Sequence, residues 1–181
     1  MALRIAGDMS GTLVARPIAP VTTVLCAAPA YLRRRGRPAK PEDLVAHDTL
    51  SFSYLWSGDD WPFTDALGNV THIRVRPDVR ATSGDLLREL AVADGGIILQ
   101  PTFIVAADLA RGALVPLLTD YRTLEFNLYA VYLSRRQLAA KVRVFIDYLV
   151  EAIGNPPPWE RWQRSAPGKR RRSAKGAPRR A

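Results

Sequence analysis

A chain of 181 residues that is 48% apolar can bury a core of its own as one domain, with room for a tail. Its single cysteine, Cys26, excludes an internal disulfide framework and a cysteine zinc cluster; no apolar run is long enough to cross a bilayer, and residues 1–11 lack a signal-peptide pattern, so a cytoplasmic protein is expected. The formal net charge of +9 belongs mostly to the end of the chain: Lys169, Arg170, Arg171, Arg172, Lys175, Arg179 and Arg180 stand there without an acid, and the remainder carries +2, so the charge says little about what the folded body binds.

In chain order, residues 3–6 read as a short strand and 7–11 as a loop. Residues 13–16 are extended, and 21–27, rich in β-branched residues, form another strand. Pro29 and Gly36 bracket a short basic helix, and Pro41 opens a second short helix through Ala46. A strand follows over 49–53. Residues 61–64 and 70–75 make a hairpin around the Gly68-Asn69 turn signal. Ser83 is placed to cap a helix that has Asp85 in its first turn, where a negative charge favours the helix dipole. Leu86, Leu87, Leu90 and Ala91 give that helix one apolar face. Ile97-Ile98-Leu99 is apolar throughout, as in a strand covered on both sides. A helix over 103–111, an apolar strand over 126–134 and a helix carrying Val142, Phe145, Ile146, Leu149 and Ile153 complete the body. Alternating strands and helices predict an α/β architecture with largely parallel sheets. Gly154-Asn155-Pro156 stops the last helix, Pro156-Pro157-Pro158 reads as a stiff spacer, and the stretch from Ser165, with nothing to bury, as a disordered tail. Trp159, Arg161 and Trp162 are the residues of this end that could pack back on the body.

Several segments occur in a telling order: Leu13-Val14-Ala15-Arg16-Pro17-Ile18-Ala19-Pro20, Val24-Leu25-Cys26-Ala27-Ala28-Pro29-Ala30-Tyr31-Leu32, Pro41-Glu42-Asp43-Leu44, Trp61-Pro62-Phe63, Arg80-Ala81-Thr82-Ser83-Gly84-Asp85, Gly96-Ile97-Ile98-Leu99-Gln100-Pro101, Gly112-Ala113-Leu114-Val115-Pro116, and Lys141-Val142-Arg143-Val144-Phe145-Ile146-Asp147. Together, over residues 2–153, they resemble the effector-binding domain of LysR-type bacterial transcription regulators. The resemblance implies a type 2 periplasmic-binding-protein-like fold, in which two α/β subdomains are joined by two crossing strands and a small ligand sits in the cleft between them. The first crossing is expected near 21–27 and the return near 99–103. Subdomain II is then about 24–100, subdomain I about 1–20 and 102–153, and 154–181 a tail. Residue 1 falls where such a regulator is already inside subdomain I. The winged helix-turn-helix, the linker helix and the first strand–helix–strand are therefore expected outside this sequence, leaving subdomain I incomplete.

Little in the sequence argues for an enzyme. Gly7-Asp8-Met9-Ser10-Gly11 does not have the Gly-x-Ser-x-Gly spacing, and His47 and His72 lie far from it. Cys26 reads as a small buried residue, and His47 as a solvated or capping one. No His, Asp or Glu pair has metal-ligand spacing, so neither metal nor cofactor is expected. Ser83 has two compatible readings: a helix cap, and a helix start whose free N–H groups face an anion. The resemblance adds to the second, because this segment faces the ligand in the family. Thr82, Ser83 and Gly84 are the candidate effector-binding residues, with Asp8 and Phe103 beside them. Phe52, Tyr54, Trp56 and Trp61 are either core and surface of one sheet or an aromatic wall over an apolar effector. The partners implied are a small anionic or aromatic effector, a second copy of the chain, and DNA through the absent N-terminal domain. Two alternatives stand beside the sensor: nonspecific nucleic-acid binding through the basic tail, and a stand-alone solute-binding protein.

Overall fold

The computed structural model describes residues 1–7, 14–55, 57–132 and 139–162. Nine strands and four α-helices are formed by these residues: β1 Ala2–Ala6, β2 Val14–Ala27, α1 Pro29–Arg35, β3 Thr49–Phe52, β4 Asp60–Thr64, β5 Val70–Arg74, β6 Val79–Ala81, α2 Gly84–Val92, β7 Ile97–Pro101, α3 Thr102–Ala110, β8 Val115–Pro116, β9 Glu125–Tyr132 and α4 Ala140–Ile153. The expected helix after Pro41 is a 3-10 turn, Pro41–Ala46. The two extended pieces expected at 13–16 and 21–27 belong to one strand of fourteen residues, β2.

β2 organises the molecule. Its first half pairs with β9, from Val14 with Tyr132 to Thr22 with Glu125. Its second half pairs with β7, from Thr23 with Pro101 to Cys26 with Ile98. The strands run in the order β1-β9-β2-β7-β3-β6, with β8 on the far end of β2, and β4-β5 forms a separate hairpin. Pro17 and Pro20 lie in the first half of β2, where the ladder slips between Pro17 and Ala19. A bulge in a half-paired stretch is where a strand tolerates residues that cannot donate.

The sheet is not largely parallel. β1–β9, β2–β9, β2–β7 and β2–β8 are antiparallel, and only β3 with β6 and β3 with β7 are parallel. The reason is the length of β2. Both β7 and β9 return along it, so every pair that it makes is antiparallel, and parallel pairing is confined to β3 with its two neighbours, β6 reached over the β4–β5 hairpin and β7 reached over α2.

Two cores form on either side of the midpoint of β2. The larger gathers Leu25, Tyr31, Leu50, Trp61, Phe63, Leu87, Ile98, Val105 and Leu114. The smaller joins Ile18 and Ala19 to Ala130 and to Ile146 of α4. Val105 and Leu109 of α3 belong to the larger core, and the Asp108 carboxylate ties α3 to α2, taking Arg88 Nη1 at 3.1 Å and Arg111 Nη2 at 2.5 Å. α3, expected in subdomain I after a return near 99–103, thus packs with α2 in the larger core. An apolar helix buries itself against the nearest open apolar face, and for α3 that face is α2 and β7.

At the end of the chain, Trp159 and Trp162, which could pack back on the body, do so. Residues 158–160 form a short turn packed on α3, Trp159 packs on the smaller core and Trp162 on the larger. The proline run is a docked segment, held by indoles that remove more apolar surface from water than a spacer would. The basic stretch 165–181 lies outside the described residues. Among those described, no helix is long and apolar enough to cross a membrane.

Candidate functional site

Near the middle of β2, a cavity of about 760 Å³ opens between the larger core and the end of β1, a size suited to a small organic molecule. The end of β1 supplies Ile5, Ala6 and Gly7 to the lining, and Phe52 at the end of β3 joins it with Tyr54 and Leu55, which follow. Thr82 and Gly84 come from the start of α2, Leu99, Gln100 and Pro101 from β7, and Phe103 and Ile104 from α3. Thr23 of β2 and Phe126 of β9 lie at the back. The lining is apolar with a few polar atoms, the composition expected of a small-molecule site.

The sequence-predicted residues fare differently. Thr82, Gly84 and Phe103 come together in this cavity. Ser83 sits beside it as the cap of α2, its Oγ accepting a hydrogen bond from Leu86 N at 3.3 Å. Asp8 lies outside the described residues. The aromatic cluster divides: Phe52 and Tyr54 line the cavity with their rings edge to face at 6.0 Å, Trp61 is buried in the larger core, and Trp56 is outside the described residues. Cys26 is buried as expected, and burial pushes its thiol upward, so it stays protonated and inert.

Gly84 is there for close approach. A methyl group at this position would fall 2.7 Å from Ile104 Cδ1 and 3.2 Å from Gln100 Oε1. Because Gly84 has none, α2 starts directly against Gln100 of β7 and Ile104 of α3, and the helix start, whose first N–H groups have no carbonyl one turn back, lines the cavity through Gly84.

Threonines hold the back of the cavity. Thr23 Oγ1 donates to the Leu124 carbonyl at 2.7 Å, and Thr123 Oγ1 donates to the Thr23 carbonyl at 3.0 Å. One residue earlier, the hydroxyls of Thr22 and Thr102 both donate to Glu160 Oε1, the latter at 2.6 Å. The docked terminal segment is thus pinned at the junction of the cores, and its Trp159 stands against the cavity residue Phe103. Among the described residues, no group of three or more His, Cys, Asp or Glu side chains could hold a metal ion.

Gln100 and Phe126 were not singled out from the sequence. Gln100 left a signal, a polar residue closing an otherwise apolar buried strand. Phe126 left none, since only the pairing of β9 with β2 brings it to the cavity.

Comparison with known proteins agrees with this architecture. The family model described as the LysR substrate binding domain matches residues 1–154. The transcriptional regulator CrgA of Neisseria meningitidis serogroup B is 39% identical over 132 residues, which are 71% of this chain and 43% of that protein. The solved CrgA regulatory domain superposes with a TM-score of 0.71 at 34% identity, covering 84% of this chain and 75% of that one. The full-length virulence activator AphB of Vibrio cholerae superposes with a TM-score of 0.72 at 28% identity, covering 83% of this chain and 50% of that one. The chain spans about half the length of the curated relatives it matches, or somewhat less.

Proposed function

The chain belongs to the LysR substrate-binding domain family, with the type 2 periplasmic-binding-protein-like fold, and from that premise we propose that it is the effector-sensing domain of a cytoplasmic transcription regulator. A small molecule with a flat apolar body and an anionic end enters the cavity at the midpoint of β2. Thr82, Gly84 and Phe103 line its site, and Ser83 holds the helix start that faces it. Asp8 belongs to the same proposal through the family resemblance alone. Binding changes how the two lobes sit about β2 and β9, and a DNA-reading segment outside this sequence responds. The partners are the effector, a second copy of the chain and, through that segment, DNA. The expected lobes, about 1–20 with 102–153 and about 24–100, are redrawn in this proposal as 1–20 with 126–153 and 24–124, because α3 packs with the larger core.

One observation supports this above the rest: the cavity is lined both by the end of β1, with Ile5, Ala6 and Gly7, and by elements of the larger core, with Phe52, Leu99 and Phe126. A ligand touching both groups stabilises one relative placement of them, which is what a sensor requires. Relatives named as transcription regulators favour this reading over a tail-driven nucleic-acid binder or a solute-binding protein. The test is thermal unfolding of the chain against a panel of aromatic and short-chain carboxylates, with Gly84→Leu as the variant whose cavity is filled. At least one compound should raise the melting temperature of the parent and leave that of Gly84→Leu unchanged. Equal shifts in both proteins, or none in either, would refute a ligand site in this cavity.

A further inference from the structure

The polar residues of the cavity wall are unequally committed. The Thr23 hydroxyl is used on the Leu124 carbonyl, and Thr82 and Tyr54 are exposed. Gln100 is 2% exposed, the one buried polar side chain among the described lining residues, and its Nε2 has no hydrogen-bond partner. Its amide lies against the start of α2, with Oε1 3.2 Å from where a methyl group on Gly84 would stand. Buried amides are almost always paired, and an unpaired one points to a partner that arrives from elsewhere. The neighbouring helix start, nine residues of α2 with its free N–H groups, adds donors and a favourable potential for negative charge.

We propose that Gln100 is the specificity-determining residue of the cavity: its amide donates to a carboxylate oxygen of the ligand, while the ligand's apolar body lies among Phe52, Phe103 and Phe126. This rests on the proposed function, since it assigns a role within the same cavity. A ligand with the same body and a cationic donor end leaves the Gln100 Nε2 unpaired and meets the unfavourable end of the helix dipole, so it is rejected.

The experiment uses the full chain with two probes of one shape, benzoate and benzylamine, read by calorimetric titration and by melting temperature. Benzoate binds the parent and benzylamine does not. Gln100→Leu keeps the volume and removes the donor. Without probe it melts no lower than the parent, because no hydrogen bond is lost, and it binds benzoate roughly 10- to 100-fold more weakly. Gln100→Glu, which serves also if the leucine variant does not fold, places a carboxylate at the same spot, loses benzoate and gains benzylamine. Benzoate binding that survives both substitutions overturns the role of Gln100 and leaves the cavity function standing. A probe-free Gln100→Leu that folds but melts below the parent overturns it too, because the amide would then have a native partner. No benzoate binding by the parent overturns the cavity function, and this inference with it.

Discussion

The ring of Phe103 and the indole of Trp159 meet edge to face, with centroids 6.1 Å apart and planes at 71°. Phe103 lines the cavity, while Trp159 packs on the smaller core. The pair therefore joins the candidate ligand site to the last described segment of the chain, across the junction of the two cores. Replacing Trp159 by alanine should remove about 2 kcal/mol of stability, the loss of a half-buried aromatic and of its edge-to-face contact. It should also weaken any cavity ligand, because Phe103 loses the ring behind it. Denaturant unfolding gives the first quantity and titration the second. Unchanged stability in the alanine variant would mean that the segment is not docked in solution.

Thr102 is buried and donates to Glu160 on the terminal turn, with the Thr22 carbonyl as an alternative acceptor 3.2 Å from the same hydroxyl. Thr102→Val keeps the shape and removes the donor, and should destabilise the protein by about 1–2 kcal/mol, since it leaves acceptors under-satisfied at the junction. Thr102→Ser, which restores the hydroxyl, should recover most of the hydrogen-bonding loss. If valine and serine variants unfold at the same denaturant concentration, the hydroxyl is not what secures the turn.

The start of α2 separates a capping effect from a binding effect. Ser83→Ala should cost about 1 kcal/mol by losing the cap on Leu86 N. Gly84→Ala should cost less, because the atom met first is the free end of the Ile104 side chain, which can turn into the cavity. That movement should weaken ligand binding more than it weakens the fold. Paired melting and titration curves for both variants measure the split, and a Gly84→Ala protein that loses stability without losing affinity would contradict it.

His47 makes stability depend on pH. Its Nδ1 lies 3.1 Å from the Tyr31 hydroxyl, and partial burial followed by the nearby Arg35 guanidinium holds its pKa below the usual imidazole value. In the unfolded chain an imidazole titrates near 6.5, so as pH falls the unfolded state takes up this proton first. The contribution is fully present above about pH 6.5 and is lost as pH falls through the lower, folded value. His47→Gln keeps a polar group for Tyr31 and should flatten the fall in melting temperature between about pH 7 and pH 5. Identical pH profiles for the two proteins would count against it.

β1 is paired on one side only among the described residues, with β9, and Leu3 and Ile5 are 47% and 46% exposed. An apolar strand at a sheet edge with little cover opens easily and invites pairing with another chain. Hydrogen exchange should therefore be fast at the β1 amides and slow at Ile97 to Leu99 of β7, whose side chains are buried. Equal protection in a dilute sample would show that β1 is covered in some other way.

By itself the sequence determined the elements and their local chemistry. The Ser83 cap, the apolar β7 strand, the helix that ends at Gly154 and the order of the LysR-like segments all follow from residues close together in the chain, where capping, turn geometry and side-chain periodicity act. The resemblance brought Thr82 and Gly84 forward as candidates beside that cap, and Phe103 with them. What only the tertiary structure decided depends on partners far apart in sequence. β2 is one long strand whose two returning neighbours make the sheet mostly antiparallel, and α3 packs with the larger core because α2 and β7 leave an apolar face open to it. The end of the chain docks because Thr22, Thr102 and Phe103 meet Glu160 and Trp159. Gln100 is left with an unpaired amide because the cavity forms around it. Burial and pairing are set by the sum of contacts in three dimensions, and no short stretch of sequence contains that sum.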